Sequence, residues 1–254
     1  MKKQVDKVDK ILISVVITCV LALFCLYYVN KIGYFDNNNV KPTSTPVPTV
    51  EPVVTPDVKE NMPEIATLKK NYNNNNIVGY VYIPNTNIDE VVAQYKDNDF
   101  YLNHNLYNNK DVKGSIFLDY RMKINEGRKN IIYGHNSSNL DVPFRELENY
   151  YDKNYFEKNR YIYVRSSDVI NKYEVFSLFV ETSDWTYTKV NFESDEEWLN
   201  HINMLKDRSW YDTGVEVNEN DRILILQTCS HHKDYTKYKN KYFLVISKLV
   251  ESVS

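Results

Sequence analysis

The stretch that most constrains this chain is Asp221-Arg222-Ile223-Leu224-Ile225-Leu226-Gln227-Thr228-Cys229-Ser230. Consecutive aliphatic residues bounded by polar ones read as a buried strand. The strand delivers Cys229 to its end, just before a polar loop that holds His231 and His232. Cys19 and Cys25 both lie in an N-terminal apolar run, so Cys229 has no disulfide partner in the folded part, and the chain is not a disulfide-stapled scaffold. A lone thiol at a strand end, with histidines elsewhere, is a candidate nucleophile. The same thiol also fits a small buried hydrophobe.

The rest of the chain is read in order. Residues 1–10 form a basic tail carrying Lys2, Lys3, Lys7 and Lys10. Ile11 to Val29 is a nineteen-residue run without a charge, long enough to span a bilayer as a helix. The basic flank predicts a cytoplasmic N-terminus and an exported remainder. The run is long for a signal peptide and no A-x-A-like site follows, so an uncleaved signal anchor over 11–29 is expected. Residues 30–58 form a linker in which Pro42, Pro46, Pro48, Pro52 and Pro56 recur among Thr and Val. That composition gives an extended extracytoplasmic spacer.

Residues 59–76 hold a short helix with Met62, Ile65, Leu68 and Tyr72 on one face, packing on the domain that follows. From 77 to 252 the pattern is mainly β. Strands are expected at Val78–Ile83, Glu90–Gln94, Gly114–Leu118, Asn130–Tyr133, Tyr161–Val164, Tyr173–Val180, the Cys229 stretch and Tyr242–Leu249. Residues 140–159 look helical or irregular, with Phe144 and Leu147 on one side. Ser194-Asp195-Glu196-Glu197 has capping-box form, and Trp198, Ile202 and Leu205 continue it as a helix. Many short strands and few helices predict a closed or nearly closed β-barrel. A formal net charge of −3 gives no broad basic field, which argues against nucleic acid as a partner.

Two strands end in reactive types, Tyr133-Gly134-His135 and Thr228-Cys229. Close together, the imidazole could hold the thiol as thiolate, while a loop-capping histidine is the bland alternative. Cys229, His231, His232 and His135 raise a metal site as another possibility. Adjacent histidines point apart in extended chain, and neither C-x-x-C nor H-x-x-x-H occurs. No metal and no cofactor are expected.

Ile225-Leu226-Gln227-Thr228-Cys229 resembles the T-L-x-T-C motif of sortases, the cell-wall cysteine transpeptidases of Gram-positive bacteria, and Tyr133-Gly134-His135 resembles their histidine motif. Ile83-Pro84-Asn85-Thr86-Asn87-Ile88-Asp89, Asp97-Asn98-Asp99-Phe100-Tyr101-Leu102 and Gly114-Ser115-Ile116-Phe117-Leu118-Asp119-Tyr120-Arg121 resemble class B in particular, as does the helix at 194–207 before the cysteine strand. The resemblance covers roughly residues 61–252. It implies an eight-stranded barrel, with Cys229 as nucleophile and His135 as general acid and base. It implies partners too: secreted proteins with an NPQTN-like or related C-terminal sorting signal, cleaved at Thr through a thioester, and a peptidoglycan amine that accepts the product at the outer face of the membrane. Thr228 and Gln227 would border the peptide.

Two positions depart from the family pattern. Ile225 replaces a threonine, and no arginine follows Arg222, although sortases carry one near the start of the last strand. Lys241 or Tyr242 is expected in its place, with Lys239 matching the spacing from the cysteine. Lysine supplies charge without the two-pronged guanidinium, and tyrosine supplies one neutral donor. A thiol hydrolase and a non-catalytic sortase-like binding domain are the competing functions.

Overall fold

Alternating inward and outward side chains organise the chain after Asn76 into strands. The computed structural model describes residues 62–182 and 185–253. The basic tail, the apolar run with Cys19 and Cys25, and the proline-rich linker lie outside the described residues. Among the described residues no helix is long and apolar enough to cross a membrane.

The strands are β1 (Ile77–Tyr82), β2 (Asp89–Ala93), β3 (Ile116–Leu118), β4 (Lys129–Tyr133), β5 (Tyr161–Arg165), β6 (Ile170–Glu181), β7 (Ile223–Cys229) and β8 (Tyr242–Val253). They form a closed barrel in the order β1-β2-β3-β4-β7-β8-β6-β5. Most neighbours are antiparallel, but β2 runs parallel to β3 and β4 parallel to β7. The helices are α1 (Ile65–Tyr72), α2 (Lys153–Lys158) and α3 (Asp195–Asp207).

The barrel interior is one apolar cluster to which every strand contributes, including Val81, Val92, Leu118, Ile132, Val164, Leu178, Leu224 and Val245. A second cluster lies on the outer face of β7 and β8, where Ile223, Ile225, Leu244 and Ile246 meet Trp198, Ile202 and Leu205 of α3. The aliphatic run of β7 is therefore buried on both faces: Leu224 and Leu226 point into the barrel, Ile223 and Ile225 toward α3. Burying each such side chain stabilises the fold by about 1.5–3 kcal/mol. Ile225 is fully buried in this outer cluster, a slot that an aliphatic side chain fills without leaving a polar group unpaired. Met62, Ile65 and Leu68 anchor α1 against Ile77, Tyr80 and Tyr163.

Several element boundaries differ from expectation. Strand β3 begins at Ile116, because Gly114 sits in a left-handed turn (φ 62°) and a Cβ there would stand 2.5 Å from the Tyr101 carbonyl oxygen. Strands β6 and β8 extend through polar residues that pair with each other, Ile170↔Val253 to Lys172↔Glu251. Residues 143–151 are tight 3₁₀ turns, with Phe144, Leu147 and Tyr150 in the barrel core, and α2 follows. Ser194 Oγ caps α3 by accepting from Glu197 N at 3.1 Å, while the Glu197 carboxylate turns back to Glu193 N.

Candidate active site

Strands β4 and β7 deliver the two reactive residues to one end of the barrel. Their parallel register pairs Tyr133 with Gln227, so His135 and Cys229 each stand two residues further along adjacent strands. The junction is tightly made. Gly134 N donates to the Gln227 carbonyl at 3.1 Å, and Thr228 Oγ1 donates to the Gly134 carbonyl at 2.8 Å. Asn136 Nδ2 donates to the Cys229 carbonyl at 2.8 Å. Only glycine fits at 134, because a Cβ would lie 2.5 Å from the Phe144 ring.

The imidazole of His135 is oriented from the other side, its Nε2 lying 2.6 Å from the Leu102 carbonyl oxygen. A carbonyl only accepts, so Nε2 carries a proton and Nδ1 is the nitrogen left to exchange one. The Asp97–Leu102 motif builds this support: Asp97 Oδ1 accepts from Asp99 N and Phe100 N at 3.0 and 2.9 Å, fixing the turn that presents Leu102. The Gly114–Arg121 motif braces β4. Asp119 is fully buried, pairs with Arg121 at 2.7 Å and accepts from the Tyr133 hydroxyl at 2.8 Å. In the Ile83–Asp89 motif, Thr86 Oγ1 donates to the Ile83 carbonyl at 2.8 Å and accepts from Ile88 N at 3.0 Å, closing the β1–β2 turn.

Cys229 is a free, exposed thiol. Even so, the protein around it penalises the thiolate, and this desolvation raises its pKa; the Lys241 ammonium pulls it back and the Glu148 carboxylate adds to the rise. Tyr242 is the direct cross-strand partner of Cys229 in β8, so the two side chains share a face. Ser230 N donates to the Lys241 carbonyl at 2.9 Å, which fixes the backbone beside them. Lys239 lies exposed in the preceding loop. Trp185 packs on Tyr242 with ring centroids 4.9 Å apart, forming an exposed aromatic shelf next to the thiol.

The remaining expected residues fall differently. Thr228 is only 1% exposed and its hydroxyl is spent on Gly134, so it locks the two strand ends together instead of facing a peptide. Gln227 accepts from the Tyr187 hydroxyl at 2.6 Å and so steadies the wall of the site. His231 and His232 diverge: His231 Nε2 lies 3.4 Å from the Asn136 carbonyl, whereas His232 packs among Tyr151, Trp210 and Tyr235. Among the described residues no three His, Cys, Asp or Glu side chains group as a metal site. Glu148 and Asn136 carry no local pattern in the sequence, and the Asp97–Leu102 motif does not by itself show that its Leu102 carbonyl meets His135.

An accessible thiol and an oriented imidazole at adjacent strand ends of a closed barrel are the two groups that cysteine acyl transfer requires. The sortase domain model matches residues 81–250. Sortase B of Listeria monocytogenes is 34% identical over 183 residues, which cover 71% of this chain and 72% of that protein. The crystal structure of Clostridium perfringens sortase B superposes with a TM-score of 0.65 at 30% identity, covering 73% of this chain and 99% of that one. A Staphylococcus aureus sortase B–substrate complex gives a TM-score of 0.66 at 30% identity, covering 75% and 85%. The chain belongs to the sortase family and resembles class B; members of the family are cysteine transpeptidases.

Proposed function

We propose that this sortase cleaves an NPQTN-like or related C-terminal sorting signal at its threonine and transfers the upstream protein to a peptidoglycan amine. The observation that carries this reading is the equal level of His135 and Cys229 on the parallel strands β4 and β7. In the first half-reaction the Cys229 sulfur attacks the threonine carbonyl carbon, the peptide C–N bond breaks, and His135 protonates the leaving amine. In the second, the acceptor amine gives a proton to His135 and attacks the thioester, and the sulfur leaves. Tyr242, on the face of Cys229, donates one neutral hydrogen bond where charge develops on the carbonyl oxygen, and Lys241 supplies the nearby positive charge. Between them they would do the work that the resemblance gives to an arginine.

The apolar run 11–29 anchors the protein in the membrane with its N-terminus in the cytoplasm, and the linker 30–58 holds the barrel on the cell-wall side. The test incubates the full chain in detergent with sorting-signal peptides, with and without triglycinamide. An amide-linked product that needs the amine is expected. Hydrolysis alone, unaffected by the amine, would make it a thiol hydrolase.

A further inference from the structure

A groove of about 650 Å³ opens beside the site, and His135 is part of its wall. The strand order β2-β3-β4-β7 places it opposite the thiol: its other walls come from the end of α1, β2, the 105–115 loop, β3 and residues 141–144, while Cys229 ends β7 on the far side of β4. His135, just beyond the end of β4, stands between the two. The groove is lined by the carboxylates of Glu90, Asp111 and Asp141 against one lysine, Lys113. At one side the rings of Tyr72 and Tyr107 meet with centroids 5.0 Å apart.

Glu90 is the unusual member. It lies opposite Val81 in the β1–β2 pairing and shares the inward row with Ile88 and Val92, both fully buried in the barrel core. A carboxylate in an inward slot is costly unless a cation meets it. Burial first, and then its charged neighbours Asp89 and Asp141, push its pKa up to about 7. Arriving positive charge would relieve that strain.

We propose that this groove is the entry site for the acceptor, a primary ammonium held by Glu90 and Asp141 and deprotonated by His135 on its way to the thioester. The inference rests on the transpeptidase reading. A primary amine arrives protonated at neutral pH and must lose that proton to become a nucleophile. In the groove it meets His135 before it meets Cys229. The ammonium's first proton passes to the imidazole and on to solvent, the freed amine nitrogen bonds to the acyl carbon, the C–S bond breaks, and the nitrogen's second proton passes through His135 to the departing thiolate.

The test loads the full chain with an NPQTN-containing peptide and measures transfer to two nucleophiles. Triglycinamide carries the cation, and hydroxylamine is small and mostly uncharged at pH 7. The rate ratio of triglycinamide to hydroxylamine is compared between the native chain, Glu90→Gln, Asp141→Asn and the double variant. A fall of about tenfold in the double variant is expected, the scale of one charge-assisted hydrogen bond. An unchanged ratio, with both nucleophiles still reacting, overturns the groove assignment. Failure of the native chain to form any acyl-enzyme overturns the transpeptidase reading and the assignment together.

Discussion

Cys229 sits between opposite charges, and the balance sets how much thiolate the resting enzyme holds. Desolvation and Glu148 raise its pKa, and Lys241 lowers it. Each half-unit change in that pKa alters the thiolate fraction about threefold at neutral pH. Glu148→Gln should therefore speed alkylation of Cys229 by iodoacetamide at pH 7, and Lys241→Ala should slow it. Tyr242→Phe should leave alkylation unchanged and slow acylation by peptide instead. Equal alkylation rates in the two charge variants would remove Lys241 and Glu148 from the account. The reactive pair was legible because Cys229 and His135 each close an apolar strand with a polar residue type. Their supports were not legible: Asn136 meets Cys229 across 93 residues, and Leu102 meets His135 across 33. Such contacts arise only once the barrel has closed.

Lys129 ties β4 to the segment before α3. Its ammonium is buried and donates to the carbonyls of Tyr187, at 2.9 Å, and Lys189, with His201 Nε2 3.1 Å away. Tyr187 in turn holds Gln227 of β7, so this clasp steadies the shelf beside the thiol. Burial, with Arg121 next, lowers the Lys129 pKa to about 7. Between that value and the ordinary lysine value near 10.5 the unfolded chain binds a proton that the folded chain does not, so this residue's contribution to stability rises with pH across that window. Lys129→Met keeps the bulk but strands two carbonyls, at a cost of about 1–3 kcal/mol. Chemical denaturation should show the native chain gaining stability over this variant from pH 7 to pH 9; a constant difference would contradict the lowered pKa. At this scale the sequence announced α3 through Ser194 and its apolar spacing. The outer ends of β6 and β8 stayed hidden, since Asn171, Lys172 and Glu251 break the apolar alternation and are held in the sheet by mutual pairing.

The whole barrel works as a device for bringing distant strand ends to one level. Parallel pairing of β4 with β7 requires the chain between them to cross over, and β5, β6 and α3 occupy that connection. The barrel class could be read from short strands and turn clusters, whereas its order could not, because neither parallel pair leaves a local mark in the sequence. Ile225 illustrates the same limit. As a motif residue it looked like a departure, and as a core residue it fills the space between β7 and α3.

The central claim is that Cys229 carries the acyl group. The most direct measurement is intact-mass spectrometry of the full chain after brief incubation with sorting-signal peptides and acid quench. A mass increase equal to the peptide fragment ending at threonine is predicted, mapped to Cys229, released by hydroxylamine and absent in Cys229→Ala. Peptide cleavage that persists in Cys229→Ala, or a folded native chain that forms no adduct with any peptide, would contradict the account.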